Sequence, residues 1–243
     1  MAHTFQPVKR VPLYLKVYKA IEADILSHRL PENTTLPTET ELSEQLGVTR
    51  SSVREGIRLL EQAGLVGRGA GKRLVVKRPQ AGDVAAAASK SLVHGGVTFQ
   101  EVWQALSTLY PSAAALAAET FAPNQVEDLG ASVANLDALA PTDHDAIVRA
   151  AFGFFQTLAV GLNNRVLLTM LQSLNILIEA SLARVIAKTP AAKQRIYEAQ
   201  TQILSAIKAQ DRGLAEQWMA RHIDDLKRGY DVAGIDLSEP VDH

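Results

Sequence analysis

The sequence predicts a mainly α-helical chain in two parts: a small N-terminal helical head closed by a short β-hairpin, and a larger C-terminal bundle built only of helices. Three observations predict it. Residues 36–65 read as two short helices joined by a glycine turn, followed by two apolar stretches, Leu65-Val66 and Leu74-Val75-Val76, around a glycine-rich basic run. Beyond residue 83 apolar residues recur at helical spacing, with no strand signal. Between these regions lies Arg78-Pro79-Gln80-Ala81-Gly82-Asp83, where Pro79 and Gly82 break structure and the composition turns alanine-rich. The expected domains are therefore residues 11–79 and 83–232.

Residues 1–10 lack periodicity and read as a tail. Residues 12–27 read as a helix, with Leu13, Val17, Ile21 and Ile25 on its buried face and Leu26 extending it. Leu30-Pro31-Glu32-Asn33 is a turn. Thr38 is placed to cap the next helix, and Glu41, three residues on, completes a capping box. Leu42 and Leu46, four apart, are expected to share its inner face. Gly47 sits where the helix must stop and the chain reverse, and Thr49 can cap the helix that follows.

In that second helix Val53, Ile57 and Leu60 form an apolar stripe. Arg50, Arg54 and Arg58 recur every four residues along an adjoining wet strip, with Ser51 and Ser52 in the first turn. A helix N-terminus attracts anions through its free N–H groups and its dipole. Glutamates would suit that end for stability; arginine and hydroxyls there suit an external polyanion. The run Arg68-Gly69-Ala70-Gly71-Lys72-Arg73 makes a basic hairpin tip, a wing. Taken alone, the arginine stripe is better explained as a solvated helix face. The order of capped helix, glycine turn, arginine helix and basic hairpin favours duplex DNA.

Leu36-Pro37-Thr38-Glu39, Leu46-Gly47-Val48-Thr49-Arg50, Val53-Arg54-Glu55 and Gly64-Leu65-Val66 resemble the winged helix-turn-helix of GntR-type bacterial regulators over about residues 11–79. The resemblance implies that Thr49, Arg50, Ser51, Ser52 and Arg54 contact DNA, with Gly71 and Lys72, beside Arg68, at the wing. Two positions depart from the family pattern. An arginine common in the first helix of the motif is Thr40 here, and a wing-tip histidine of the fatty-acid-responsive members is Ala70.

With 243 residues and 47% apolar content the chain can bury a sizeable core. The absence of cysteine excludes disulfides and thiolate metal sites. No leader is evident, and the apolar stretches around residues 150–183 are interrupted by Asn163, Asn164, Arg165, Asn175 and Glu179. A soluble, cytoplasmic protein with no membrane partner is expected. The net charge of −1 is unevenly shared: residues 1–80 carry 13 Lys+Arg against 8 Asp+Glu, and the remainder 12 against 18. Phosphate neutralisation favours the basic head, and the acidic remainder should stay off the duplex.

Six or seven helices are expected in the second part, at about residues 83–94, 98–121, 123–139, 143–161, 163–189, 191–209 and 211–230, with Pro111 inside the second of them. The chain from Val232 onward is expected to fray. Two stripes each contain one polar residue in an apolar series: Ile196, Gln200, Ile203, Ile207, and Ala215, Met219, His222, Leu226. A buried polar group needs a partner, and inward polar groups in a bundle are one place for a ligand pocket. A core Gln and His satisfying each other or the backbone is the simpler alternative.

This part resembles the all-α effector domain of the FadR-type subgroup. In many members that domain holds a metal through one carboxylate and three histidines. Carried over, the aspartate falls at Ala151 and the first histidine at Phe155, or at Phe152 and Gln156 in a register one residue later. The second falls at Gln200, and only the third, His222, is present. No metal or other cofactor is expected. The apolar replacements suggest a mainly apolar effector with a polar or anionic end, an acyl or aromatic organic acid or an acyl thioester of coenzyme A, contacted by Phe155, Gln200 and His222. Arg184, one helix earlier, is a candidate for its carboxylate, with a surface cation as the simpler reading.

The reading is a ligand-responsive repressor that binds a pseudo-palindromic DNA operator as a homodimer. The alternative is a DNA-binding dimer whose bundle only dimerises. An enzyme is not expected: His144 with Asp143 and Asp145 is the only dense group of catalytic residue types, and its place after Pro141, at a helix start, is better explained by capping.

Overall fold

The computed structural model describes residues 11–69, 73–78, 80–189 and 191–241. It divides into two compact units, Met1–Gln80 and Ala81–His243. The first contains α1 (Leu13–Leu26), α2 (Glu39–Leu46), α3 (Arg50–Gln62), β1 (Val66–Arg68) and β2 (Leu74–Val76).

Both expected caps of the head are formed. The Thr38 Oγ1 accepts from the Glu41 N–H at 3.3 Å, and the Glu41 carboxylate accepts from the Thr38 N–H at 2.7 Å. Gly47 ends α2 in the left-handed region, φ 63°, where a Cβ would be strained. The core gathers Val17, Ile21 and Ile25 of α1, Leu42 of α2, Val53, Ile57 and Leu60 of α3, and Val66 and Val76 of the hairpin. α1 and α3 approach so closely that a Cβ on Gly56 would lie 2.8 Å from Val17 Cγ1 and 3.0 Å from the Tyr14 carbonyl oxygen. β1 and β2 pair antiparallel, Gly67 opposite Val75. Residues 34–36 run along the other edge of β2: Leu36 donates to the Leu74 carbonyl at 2.8 Å, and Val76 to that of Thr34 at 2.9 Å.

Three expected core positions are corrected. Leu13 is 48% exposed and Leu26 67%, because each lies at an end of α1 while the packing partner covers its middle. Leu46, at the last position of the eight-residue α2, is 36% exposed; only Leu42 faces the core.

The second unit contains α4 (Ala81–His94), α5 (Phe99–Thr120), α6 (Pro123–Asp137), α7 (His144–Gly161), α8 (Arg165–Lys188), α9 (Ala192–Lys208) and α10 (Arg212–Ala233). Proline, Asp or Asn marks the start of α6, α7, α8 and α10, and a Thr98–Glu101 capping box opens α5. Pro123 opens α6, the Asp143 carboxylate accepts from the Ala146 N–H at 3.1 Å to cap α7, and Asn164 accepts from the Val166 and Leu167 N–H groups to cap α8. Asp143 is thus the cap of α7, with His144 and Asp145 in its first turn. Pro111 is accommodated inside α5, where it is buried. α10 lies at the centre, packed on α5, α8 and α9, while α4 lies along α8.

Two readings of the second unit are corrected. By length and composition α8 is apolar enough to cross a membrane, since Asn175 and Glu179 interrupt it less than expected. Its Leu171, Leu177, Ile178, Leu182 and Val185 nevertheless face the bundle core. The C-terminal segment is not frayed. α10 continues to Ala233, Gly234 turns the chain at φ 69°, and the next residues return to the start of α5. There the Phe99 and Gln100 N–H groups, first donors of α5, bond to the Glu239 and Leu237 carbonyls at 3.1 and 2.7 Å. Val241 is buried. The tail supplies acceptors for N–H groups that a helix N-terminus leaves open, and periodicity contains no trace of that.

Candidate nucleic-acid interface and bundle interior

The exposed side of α3 is the candidate nucleic-acid interface. Thr49 caps the helix through its Oγ1, which accepts from the Ser52 N–H at 3.3 Å and lies 3.0 Å from the hydroxyls of both Ser51 and Ser52. This hydroxyl cluster sits at the positive end of the helix dipole. Arg50, Arg54 and Arg58 are all exposed, but they differ in their partners. Arg54 donates to Glu39 at the start of α2, Nη2 to Oε2 at 3.0 Å. Arg58 pairs with Glu55 one turn away at 3.2 Å. Among the described residues Arg50 has no ion pair. Hydrogen bonding from Arg54, and the nearby charges of Arg54, Arg50 and Arg68, hold the Glu39 carboxyl below the usual carboxylate range.

Arg68 and Arg73 stand on the hairpin, with the Arg68 guanidinium 3.9 Å from Glu61. They border an open groove of about 530 Å³ that runs beneath the α2 N-terminus and is also lined by Thr38, Glu39 and Gln45. Gly71 and Lys72 lie outside the described residues. The sequence reading missed the Glu39–Arg54 pair; an acidic residue opening one helix and an arginine in the next give no local sign that they meet.

Inside the second unit both polar residues of the apolar stripes are buried, Gln200 at 0% and His222 at 2% exposure. They converge on α7. Gln200 donates its amide N–H to the Ala151 carbonyl at 3.3 Å. One turn along α7, the Phe155 ring stacks on the His222 imidazole, centroids 5.4 Å apart and planes 11° from parallel. Tyr110 also packs on Phe155, ring centroids 4.6 Å apart, and donates to Asn175 at 2.7 Å. Gln200 Oε1 and His222 Nε2 are buried without a hydrogen-bond partner. Burial drives the His222 pKa down to about 4, against a smaller upward pull from Asp225, so the imidazole is neutral at pH 7.

Comparison with known proteins decides the family. Residues 13–76 match the gntR family of bacterial regulatory proteins, and residues 101–225 match the FCD domain, half the chain by itself. The chain belongs to the GntR family. It is similar to the uncharacterized HTH-type transcriptional regulator Rv0494 of Mycobacterium tuberculosis, 33% identical over 67% of each chain. HTH-type transcriptional repressor NanR of Escherichia coli is 30% identical over 63% of this chain and 59% of its own length. Mce2R, an HTH-type transcriptional regulator of M. tuberculosis, is 34% identical over 59% of this chain and 60% of its own length. The chain thus spans about three fifths of those last two relatives. The solved structure of Streptococcus agalactiae GntR shares the fold, with a TM-score of 0.65 at 20% identity over 88% of this chain and 99% of that one.

In this GntR-family chain the residues of one of the two registers that the FadR-type resemblance offers, Ala151 and Phe155 with Gln200 and His222, lie together. Ala151, Phe155, Gln200 and His222 form one connected cluster through the bond and the stack described above. The residues do not fit a metal. They offer a single imidazole and no carboxylate, and Phe155 packs flat against that imidazole. Among the described residues no group of three or more His, Cys, Asp or Glu is placed to hold a metal ion. Arg184 stands exposed on α8, at the surface rather than in the buried cluster.

Proposed function

We propose that this GntR-family chain is a ligand-responsive transcription regulator, acting from the cytoplasm as a homodimer on a pseudo-palindromic operator. In this reading α3 enters the major groove. Arg50 and Arg54 reach base edges, Thr49, Ser51 and Ser52 contact phosphate at the helix N-terminus, and Arg68, Gly71 and Lys72 follow the wing along the backbone. Repression is relieved by a small organic or acyl-type acid bound in the second domain. The observation that carries the reading is α3 itself: its apolar stripe is buried in the head while Arg50, Arg54 and the capped N-terminus remain on the exposed side.

The effector part rests on the two orphaned polar atoms of Gln200 and His222. A buried polar atom without a partner costs about 1–3 kcal/mol, and a ligand that bonds to it recovers that cost. A second reading, a bundle that only dimerises, is favoured by the stacking of Phe155 on His222, which packs together two positions to which the FadR-type resemblance carries metal ligands. The two are separated by footprinting the full-length protein on DNA upstream of its own gene, with and without a panel of organic acids. Two symmetric half-sites protected one or more helical turns apart, and released by one of the acids, support the regulator reading. Protection that no acid changes supports the second. Absence of any footprint removes both.

A further inference from the structure

The outer face of α9 and α10 carries a groove that the interior cluster does not explain. It has a volume of about 590 Å³, within the range of small-molecule sites, and its lining includes Arg195, Trp218, Arg221, His222, Asp225 and Arg228. Three features set it apart from a solvated charged surface.

The first is its charge. The domain is acidic, with 12 Lys+Arg against 18 Asp+Glu over residues 81–243, yet three arginines gather here. Asp225 is shared by two of them, Arg195 from α9 and Arg228 one turn along α10. Arg221 has no ion pair among the described residues and lies over the Trp218 ring, 5.1 Å from its centroid. The one other carboxylate on the lining, Glu198, accepts a bond from Gln194 at 2.8 Å. The second feature is the half-buried Trp218, a flat apolar surface beside an unpaired cation. The third is His222, which belongs both to this groove and to the buried cluster, and whose Nε2 has no partner.

We propose that this groove is the effector subsite and takes an aromatic carboxylate. The carboxylate pairs with Arg221, the ring lies against Trp218, and the bound acid covers His222 where it lines the groove. Occupation changes the surroundings of His222, and the Phe155 stack passes that change to α7. This rests on the effector reading of the domain and adds its location and ligand class.

The chain has two tryptophans, of which Trp103 is fully buried, so a fluorescence change on adding a small acid reports mainly on Trp218. The probe is 4-hydroxybenzoate, titrated into the full-length protein, with 4-hydroxybenzamide as its uncharged counterpart. Saturable quenching is expected, about tenfold weaker for the amide and about tenfold weaker in Arg221→Gln, the loss expected for one charge-assisted bond. Arg228→Gln, also exposed, should weaken it in the same direction. No saturable change overturns the proposal. Equal binding in Arg221→Gln and Arg228→Gln also overturns it, placing the acid elsewhere while leaving the effector reading intact. Binding that both substitutions weaken, without any effect on DNA affinity, keeps the subsite and removes the effector reading.

Discussion

The Arg54 guanidinium is bonded across the helix-turn-helix to Glu39, Nη2 to Oε2 at 3.0 Å. Both side chains retain solvent contact, so the pair adds little stability by itself. Its importance is geometric: it ties the start of α2 to an arginine on the exposed face of α3. The Glu39 carboxyl is held below its usual range, chiefly by this hydrogen bond. The tie is therefore fully present above the ordinary carboxylate pKa and is lost as pH falls through the lowered one. Glu39→Gln should reduce operator selectivity more than it reduces binding to unrelated DNA, read by competition gel shift.

Arg50→Ala and Arg54→Ala should each weaken operator binding by about 1–3 kcal/mol if each reads a guanine edge. Titration at fixed salt against the operator and a scrambled duplex checks this. An unchanged operator affinity refutes the assigned role.

Gly56 is where α3 passes against α1. Gly56→Val places methyl groups where even a Cβ would lie 2.8 Å from Val17 Cγ1. Overpacking of this kind costs about 1–3 kcal/mol, more than the few tenths gained in helix propensity. A lowered urea midpoint with parallel loss of DNA binding is the expected result.

His222 is neutral and buried, with its pKa pushed down to about 4 from an ordinary 6.5. Between those values the unfolded chain binds a proton that the folded chain does not, so stability rises with pH across that window. The contribution is fully present above pH 6.5 and is lost on acidification towards pH 4. Its size is on the order of 3 kcal/mol. His222→Leu should flatten the dependence of the thermal midpoint on pH over this window. An unchanged slope would show that other groups dominate.

Ending the chain at Gly234 removes the carbonyls that accept from the Phe99 and Gln100 N–H groups and removes the buried Val241. The truncated protein should lose about 2–4 kcal/mol from these losses together. Chemical denaturation checks this, with DNA contacts of the head left intact at low denaturant.

Local rules determined much of this protein before any tertiary contact formed. The Thr38–Glu41 capping box, the Gly47 stop, the Thr49 cap and the Val53, Ile57, Leu60 stripe are all relations between residues fewer than eight apart. Such relations repeat wherever that spacing occurs, so they can be read directly. The later helices were legible for a related reason, since residues such as Pro123, Asp143 and Asp211 act on neighbouring backbone groups. The Gln200 and His222 stripes likewise predicted burial, because helical period alone decides which side chains share a face.

Tertiary structure alone decided which distant groups meet. Glu39 finding Arg54, Phe155 lying flat on His222, residues 237–239 capping α5, and Arg195 reaching Asp225 all depend on how distant segments pack. Leu13, Leu26 and Leu46 fit the apolar period yet are exposed at helix ends, because period gives the direction of a side chain and not how far its partner extends. One signal for the outer groove was present: Trp218, Arg221, Asp225 and Arg228 recur at spacings of three and four along α10. That pattern places them on one face, but only the packing of α9 beside α10 makes the face one wall of a groove.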